Sequence, residues 1–163
     1  MSSVDFNLQE PEYECLRAIL AKLQKELRAE VILLISRSGQ PVVTLGTARN
    51  MDYTSLASLA AANLAATDGL ANIVGESDFA VLVHQGRRRS LYISDLLKRF
   101  SLVVVFDASA SLGLVRYKCK RVIVLLEDVV RSFHRRMQRA ASALEQPVFS
   151  DEEVEQLLGN IGP

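Results

Sequence analysis

The side chains in this sequence that could do acid, base or nucleophilic chemistry are few and lie far apart. The two histidines stand alone, His84 just before a turn and His134 within a basic stretch. The two cysteines, Cys15 and Cys119, form neither a Cys-x-x-Cys pair nor a metal-ligand spacing. A disulfide between them is disfavoured in a reducing cytoplasm. These residues indicate neither a catalytic centre nor a metal site.

The motifs of nucleotide-binding proteins and hydrolases are also missing. The sequence has no Gly-x-x-x-x-Gly-Lys phosphate loop, no Gly-x-Ser-x-Gly nucleophile turn and no His-Glu-x-x-His metal pair. The acidic cluster Asp151–Glu153 lacks the spacing of a calcium loop and fits a solvated helix start. We therefore predict a protein that is not an enzyme, with no catalytic residue, no metal and no cofactor. An enzyme with an unrecognised site is the disfavoured alternative.

One basic motif suggests a more specific role. Arg87–Arg89 follows a glycine and forms a strongly basic turn between two strand-like segments. An arginine at such a tip could reach into the nucleotide site of a GTPase and stabilise charge on the transferred phosphate. A basic hairpin tip is more often simply solvated, and that is the expectation here.

The overall charge argues against a general polyanion-binding protein. Of 163 residues, 19 are Lys or Arg and 19 are Asp or Glu, so the formal net charge is zero. Basic residues concentrate between Gly113 and Arg139, and acidic residues concentrate after Glu145. These segments are either solvated, attracted to each other or attracted to different partners. The basic segment has few aromatic residues and no helix-turn-helix pattern, so nucleic acid is not predicted as a partner.

The apolar runs are too short for membrane insertion. The longest, such as Val31–Ile35 and Leu102–Phe106, fall far short of the roughly 20 residues that a spanning helix needs. Met1–Leu8 lacks the basic and apolar parts of a signal peptide. The sequence therefore predicts a cytoplasmic protein.

Hydrophobic periodicity predicts three helices and five strands between residues 10 and 144. Apolar residues at three- and four-residue steps indicate the helices, and short β-branched runs bounded by turns indicate the strands. The predicted helices are Glu10–Arg28, Ser55–Val74 and Leu112–Leu144, and the predicted strands are Val31–Ile35, Pro41–Leu45, Phe79–His84, Ser90–Leu97 and Ser101–Phe106.

The order α-β-β-α-β-β-β-α predicts one α+β domain. Short turns between successive strands imply an antiparallel sheet, and helices on both faces of it would bury all the apolar stripes. The domain is expected to cover residues 10–144, after a flexible lead-in at residues 1–9. Residues 145–163 are expected to be an acidic tail containing a short helix-like segment. That segment is too short to be stable alone, so it is either disordered or docked.

The middle helix has one face without charged residues. Its larger residues are predicted to lie on the sheet: Leu56, Leu59, Asn63, Ala66, Leu70 and Ile73. The opposite face carries small side chains: Ser58, Ala61, Ala62, Ala65, Gly69 and Asn72. A solvated helix face normally carries Lys, Glu or Gln, and a mid-helix glycine costs about 0.5–1 kcal/mol relative to alanine. This small face either packs within the domain or homodimer, or admits the close approach of a partner.

Several blocks of the chain resemble the bacterial MglB group of the roadblock / dynein light-chain family. Three blocks lie in the middle helix and its cap, and three follow it: Asp52–Leu59, Asn63–Ala66, Gly69–Ala71, Ser90–Tyr92, Val103–Asp107 and Ser111–Arg116. Ser150–Val154 is similar to that family's acidic C-terminal segment. The resemblance covers essentially the whole chain.

The resemblance implies the roadblock fold, in which a five-stranded antiparallel sheet lies between one helix on one face and two on the other. It also implies a homodimer whose sheets join edge to edge and whose paired middle helices bind a Ras-like small GTPase of the MglA type. Proteins of this group activate GTP hydrolysis by reordering the GTPase's own catalytic residues, without an arginine finger. The implied setting is bacterial cell polarity and motility, with concentration at a cell pole.

The faces of the middle helix and the resemblance together predict two surfaces on it, and the resemblance falls on Ala65 and Gly69 in particular. The GTPase-binding set is Ser58, Ala61, Ala62, Ala65, Gly69 and Asn72, and the dimer-interface set is Ala57, Ala60, Leu64 and Ala71. The chain has Ala60–Ala62 where the family more often has Thr-Ala-Gly, which keeps the small character. The alternative function is a roadblock adaptor that tethers a GTPase or another protein without changing its turnover.

Overall fold

A computed structural model describes residues 10–144, so the predicted lead-in and acidic tail lie outside the described residues. The described residues form three helices and five strands in the predicted order. Their bounds are α1 Glu10–Leu27, β1 Val31–Ser36, β2 Pro41–Gly46, α2 Tyr53–Val74, β3 Val81–Gln85, β4 Arg89–Leu96, β5 Phe100–Asp107 and α3 Leu112–Leu144. The predicted fold class and element order are confirmed.

The five strands form one antiparallel sheet in the order β2-β1-β5-β4-β3. The central pair is β1 with β5, in a register that places Val31 opposite Val105 and Ile35 opposite Ser101. Every residue of β1 is buried, as expected for a strand covered on both faces. β2 and β3 are the two edge strands.

Alternate side chains of the central strands point to opposite faces of the sheet. One face carries Val31, Leu33 and Ile35, and there α2 contributes buried residues to the core. Ile32 and Leu34 point to the other face, where α1 and α3 bury their own apolar residues: Leu16, Leu20, Leu23, Leu27, Val115 and Cys119. The sheet therefore lies between one helix on one face and two on the other, as the resemblance implied.

Both ends of α2 are fixed by hydrogen bonds outside the regular helix. The Asp52 carboxylate accepts bonds from the backbone N–H groups of Thr54 at 3.0 Å and Ser55 at 3.1 Å. At the other end Gly75 adopts φ +80°, and its N–H donates to the carbonyl oxygens of Ala71 and Asn72. These caps explain why the helix covers Tyr53–Val74.

Two glycines near the β1–β2 hairpin are required by close backbone approaches. Gly39 adopts φ +83°, and a Cβ atom there would lie 2.8 Å from the Cα atom of Ser58 on α2. Gly46 adopts φ +87°, and its Cβ atom would lie 2.1 Å from the carbonyl oxygen of Glu30. Gly39 brings the hairpin turn onto α2, and Gly46 brings the end of β2 onto the segment before β1.

By its internal contacts the chain divides within α3, into one unit up to Val129 and a second from Val130. The described part of the second unit is the last part of α3, where the side chains of His134 and Gln138 bond at 3.0 Å. Across residues 10–144, none of the helices combines the length and apolar character that crossing a membrane requires.

Candidate functional site

The outward surface of α2 carries large aliphatic side chains that no other part of residues 10–144 covers. Leu59 is 65% exposed, Leu70 is 58% exposed and Ile73 is 82% exposed. Contiguous aliphatic groups exposed on one helix mark a binding surface more often than a free one. This surface is therefore the candidate functional site.

The predicted orientation of α2 on the sheet is wrong. Of the six residues expected to face the sheet, only Leu56 packs partly against the core, and the other five are exposed: Leu59, Asn63, Ala66, Leu70 and Ile73. The helix is instead buried through Ala57, Ala60, Leu64, Thr67 and Ala71. Small side chains let the α2 backbone lie close to the sheet, so alanines are buried and larger residues point outward.

This orientation also corrects the predicted dimer-interface set. Ala57, Ala60, Leu64 and Ala71 are between 0 and 3% exposed, and the first three share a core cluster with residues of the chain's own sheet. Their side chains therefore cannot face a second subunit. A dimer contact on α2 would use the aliphatic half of its outward surface, which comprises Leu59, Ala66, Leu70 and Ile73.

The rest of the outward surface of α2 carries small side chains, and we call it the small half. Of the predicted partner-binding set, five residues are exposed and belong to this small half: Ser58, Ala62, Ala65, Gly69 and Asn72. Ala61 is partly buried, near the Gly39 turn. A Cβ atom at Gly69 would meet nothing within 4 Å, so packing within the described chain does not require glycine there. The role of this set in partner binding stays a prediction.

An ion network joins α2 to two turns of the sheet. Asp68 is the one charged residue of α2, and its carboxylate bonds Arg37, which follows β1. The Arg37 guanidinium also bonds Asp95 at 2.9 Å, and the Lys98 ammonium lies 3.2 Å from Asp68. The hydrogen bond from Arg37, with a further one from Lys98, lowers the pKa of Asp68. The single charge on α2 is thus compensated within the chain.

The β4–β5 turn that supplies Lys98 has an unusual backbone. Leu97 and Lys98 both adopt left-handed conformations, with φ of +55° and +56°. Non-glycine residues adopt this conformation at a cost. The Asp95 carboxylate accepts a bond from the Lys98 N–H at 2.9 Å, which holds the turn in place. Sequence reasoning missed this network, although a lone carboxylate on an otherwise uncharged helix was a usable signal.

The basic turn that suggested an arginine finger is partly engaged by its own chain. Arg89 lies in β4, and its Nε atom and one terminal nitrogen each contact a Glu30 carboxylate oxygen at 2.8 Å. The hydrogen bond that Arg89 donates to the Glu30 carboxylate raises the pKa of Arg89. This pair ties the start of β4 to the segment before β1, while Arg87 and Arg88 are exposed.

Within the part of the chain that the structure describes, the other side chains with potential chemistry do not form a group. Cys15 and Cys119 are both free thiols, and burial raises the pKa of Cys119 to about 12, so this thiol is protonated at neutral pH. Among residues 10–144, no three His, Cys, Asp or Glu side chains are grouped so that they could hold a metal ion. His84 lies in β3 and His134 in α3. The acidic cluster Asp151–Glu153 lies outside the described residues.

Residues 17–106 match the model of the Roadblock/LC7 domain. Among solved structures, Myxococcus xanthus MglB is 39% identical, with a TM-score of 0.72, over 77% of this chain and 94% of that chain. The gliding protein MglB from Thermus thermophilus is 34% identical, with a TM-score of 0.71, over 77% and 95%. An MglB described with a tetrameric arrangement is 34% identical, with a TM-score of 0.72, over 77% and 94%. A comparison with curated protein sequences found no match.

Proposed function

Because this chain belongs to the Roadblock/LC7 family and is similar to MglB, we propose that it is a homodimeric activator of a Ras-like small GTPase of the MglA type. It supplies a binding surface, and the GTPase's own residues carry out hydrolysis, without an arginine finger. Its setting is bacterial cell polarity and motility. The observation that carries this proposal is the exposed, charge-compensated outward surface of α2.

The small half of α2 suits a partner that must approach closely. Ala62, Ala65 and Gly69 leave room for a loop or strand of the GTPase beside the α2 backbone. Burying an unpaired charge in an interface is costly, but Asp68 is already paired with Arg37 and Lys98. A GTPase can therefore cover this surface without leaving a charge unpaired on α2.

The aliphatic half of α2 and the edge strand β3 suit a second copy of the chain. β3 pairs with β4 on one side, and no strand of the described chain lies on its other side. A free strand edge can extend the sheet by pairing with another chain. Leu82 of β3 and Leu91 of β4 pack against the core cluster that includes residues of α2, so the face of β3 that carries Leu82 is the face that α2 covers. Pairing of two β3 strands is proposed to bring the two α2 helices together.

Placing a charge in the aliphatic half should separate the dimer. We expect Ile73→Asp to give a folded monomer, because the 82% exposed side chain is not needed by the single chain but would meet the second copy. Sedimentation velocity measures the change. Asn72→Asp is the matched control, since it adds the same charge one residue away on the small half. A dimer that persists in Ile73→Asp would exclude this interface.

The GTPase-activating role is tested by single-turnover GTP hydrolysis. With a cognate Ras-like GTPase loaded with GTP, we expect this protein to raise the rate by about a hundredfold, the scale gained when misplaced catalytic groups are realigned. Arg88→Ala should leave the rate unchanged, because no arginine enters the nucleotide site. Binding to the GTP-loaded form without a change of rate would identify the alternative, an adaptor.

One of the similar MglB structures has a tetrameric arrangement. A tetramer of this chain would need a second interface besides the proposed α2 and β3 contact.

A further inference from the structure

α3 exposes a second apolar surface, on the sheet face opposite α2. Tyr117, Val124 and Leu125 are each more than half exposed. The buried side of the same helix is formed by Val115, Cys119 and Leu126. α3 therefore has one apolar side that packs in the domain and a second that nothing in the described chain covers.

The exposed residues form a continuous stripe along α3. Tyr117, Arg121, Val124 and Asp128 follow one another at steps of three or four residues, with Leu125 beside them. This spacing keeps them on one side of the helix and is typical of a seam between paired helices. All five are exposed.

The charges of this stripe are complementary to those of the same stripe on a second copy of the chain. When two identical helices pack antiparallel about a two-fold axis, residues equally far from the axis lie opposite each other. With the axis between Val124 and Leu125, Arg121 of each copy lies opposite Asp128 of the other. Val124 of each copy then lies opposite Leu125 of the other, so an apolar centre is flanked by two opposite-charge pairs.

Contacts within the chain hold Arg121 in the stripe. Its guanidinium carbon lies 5.7 Å from the centre of the Tyr117 ring, and one terminal nitrogen is 3.2 Å from the Tyr117 hydroxyl. Beside it, Lys118 contacts Glu26 of α1 at 2.8 Å and so ties α3 to α1. A side chain that is already positioned loses less conformational freedom when it enters an interface.

Leu125 also lines a groove between α1 and α3. The groove has an apolar lining that includes Ile19, Leu23 and Val122, and Lys22 lies on its α1 side. An antiparallel α3 pair would cover the α3 side of this groove, which adds apolar area to the contact around the axis.

We infer that α3 is a self-association surface, through which two copies of this chain pack α3 against α3 about a two-fold axis near Val124 and Leu125. The number of chains rests on the proposed function: if the α2 and β3 contact forms a dimer, the α3 contact joins two dimers into a tetramer.

Charge exchange between the two paired positions tests this contact in the full-length protein. Arg121→Glu and Asp128→Arg each place like charges opposite one another twice, so each should weaken the α3 association by about tenfold or more. The double variant restores opposite charges and should recover association to near that of the natural chain. Sedimentation velocity over a concentration series measures the association constants.

Arg116→Glu is the matched control, because it makes the same charge change as Arg121→Glu at an exposed position of α3 that lies on another side of the helix from the stripe. It should associate like the natural chain. The inference is overturned if the natural chain never forms an assembly larger than the dimer that depends on Ile73. It is also overturned if the folded double variant associates no more strongly than the two single variants. Either failure leaves GTP activation and the Ile73→Asp result unaffected, so it is distinguishable from failure of the proposed function.

Discussion

Ala65→Arg is expected to weaken binding of the GTPase by about a hundredfold or more, a loss of roughly 3 kcal/mol. Ala65 is exposed in the small half of α2, so an arginine there would occupy the space proposed for the partner. It would also bury a charge that has no counterpart in the interface. The fold and the α2 dimer should persist, because no side chain of the described residues buries this position. Titration calorimetry with the GTP-loaded GTPase measures the affinity.

Two further variants sharpen this experiment. Gly69→Arg should act like Ala65→Arg, since a Cβ atom at Gly69 meets nothing within 4 Å and the fold can accept the change. Ala18→Arg adds the same side chain at an exposed position of α1, on the other face of the sheet, and should bind normally. Normal binding by both α2 variants would exclude the small half as the GTPase site.

Gly46→Ala is expected to lower the free energy of unfolding by about 2–4 kcal/mol. Gly46 adopts φ +87°, a conformation that costs an alanine about 1–2 kcal/mol. The new Cβ atom would also lie 2.1 Å from the Glu30 carbonyl oxygen. Glu30 cannot easily move away, because its N–H bonds the Val105 carbonyl oxygen at 3.0 Å. Urea unfolding followed by circular dichroism measures the loss.

Gly75→Ala separates the cost of the left-handed backbone conformation from the cost of the close approach to Glu30. Gly75 has a similar φ of +80°, but a Cβ atom there would meet nothing within 4 Å. This variant should therefore lose only the conformational part, about 1–2 kcal/mol. Equal losses at Gly46 and Gly75 would show that the approach of Glu30 to β2 contributes nothing.

The helices and strands of this fold could be predicted because the local sequence pattern of each one agrees with its burial in the structure. The sequence of β1 is rich in β-branched residues, and the strand is buried on both faces. Asp is a residue type that favours helix starts and Gly one that ends helices, and Asp52 and Gly75 act in those roles for α2. Hairpin turns then left few ways to arrange the strands, so the antiparallel sheet followed from local information.

The orientation of α2 could not be predicted in the same way. The helix offers two apolar stripes, and the usual assumption places the larger residues, such as Leu59 and Ile73, in the core. Here Ala57 and Ala60 are buried instead, since the sheet and the Gly39 turn approach the helix closely. Which stripe is buried depends on contacts between distant segments, and the same is true of the bond between Arg37 and Asp68. Two competing apolar stripes on one helix are the sequence signal that one of them stays exposed on the chain's surface.

The position of β1 between β2 and β5 has a consequence for how the molecule forms. The β1–β2 hairpin and the β3–β4–β5 meander each join neighbouring strands, so each can form early and locally. Joining them requires β1 to pair with β5, which follows α2, β3 and β4 in the sequence. This pairing is a slow, non-local step. During synthesis on the ribosome, the first hairpin must therefore wait with one apolar edge unpaired until β5 has emerged. The pairing of β1 with β5 is expected to set the folding rate.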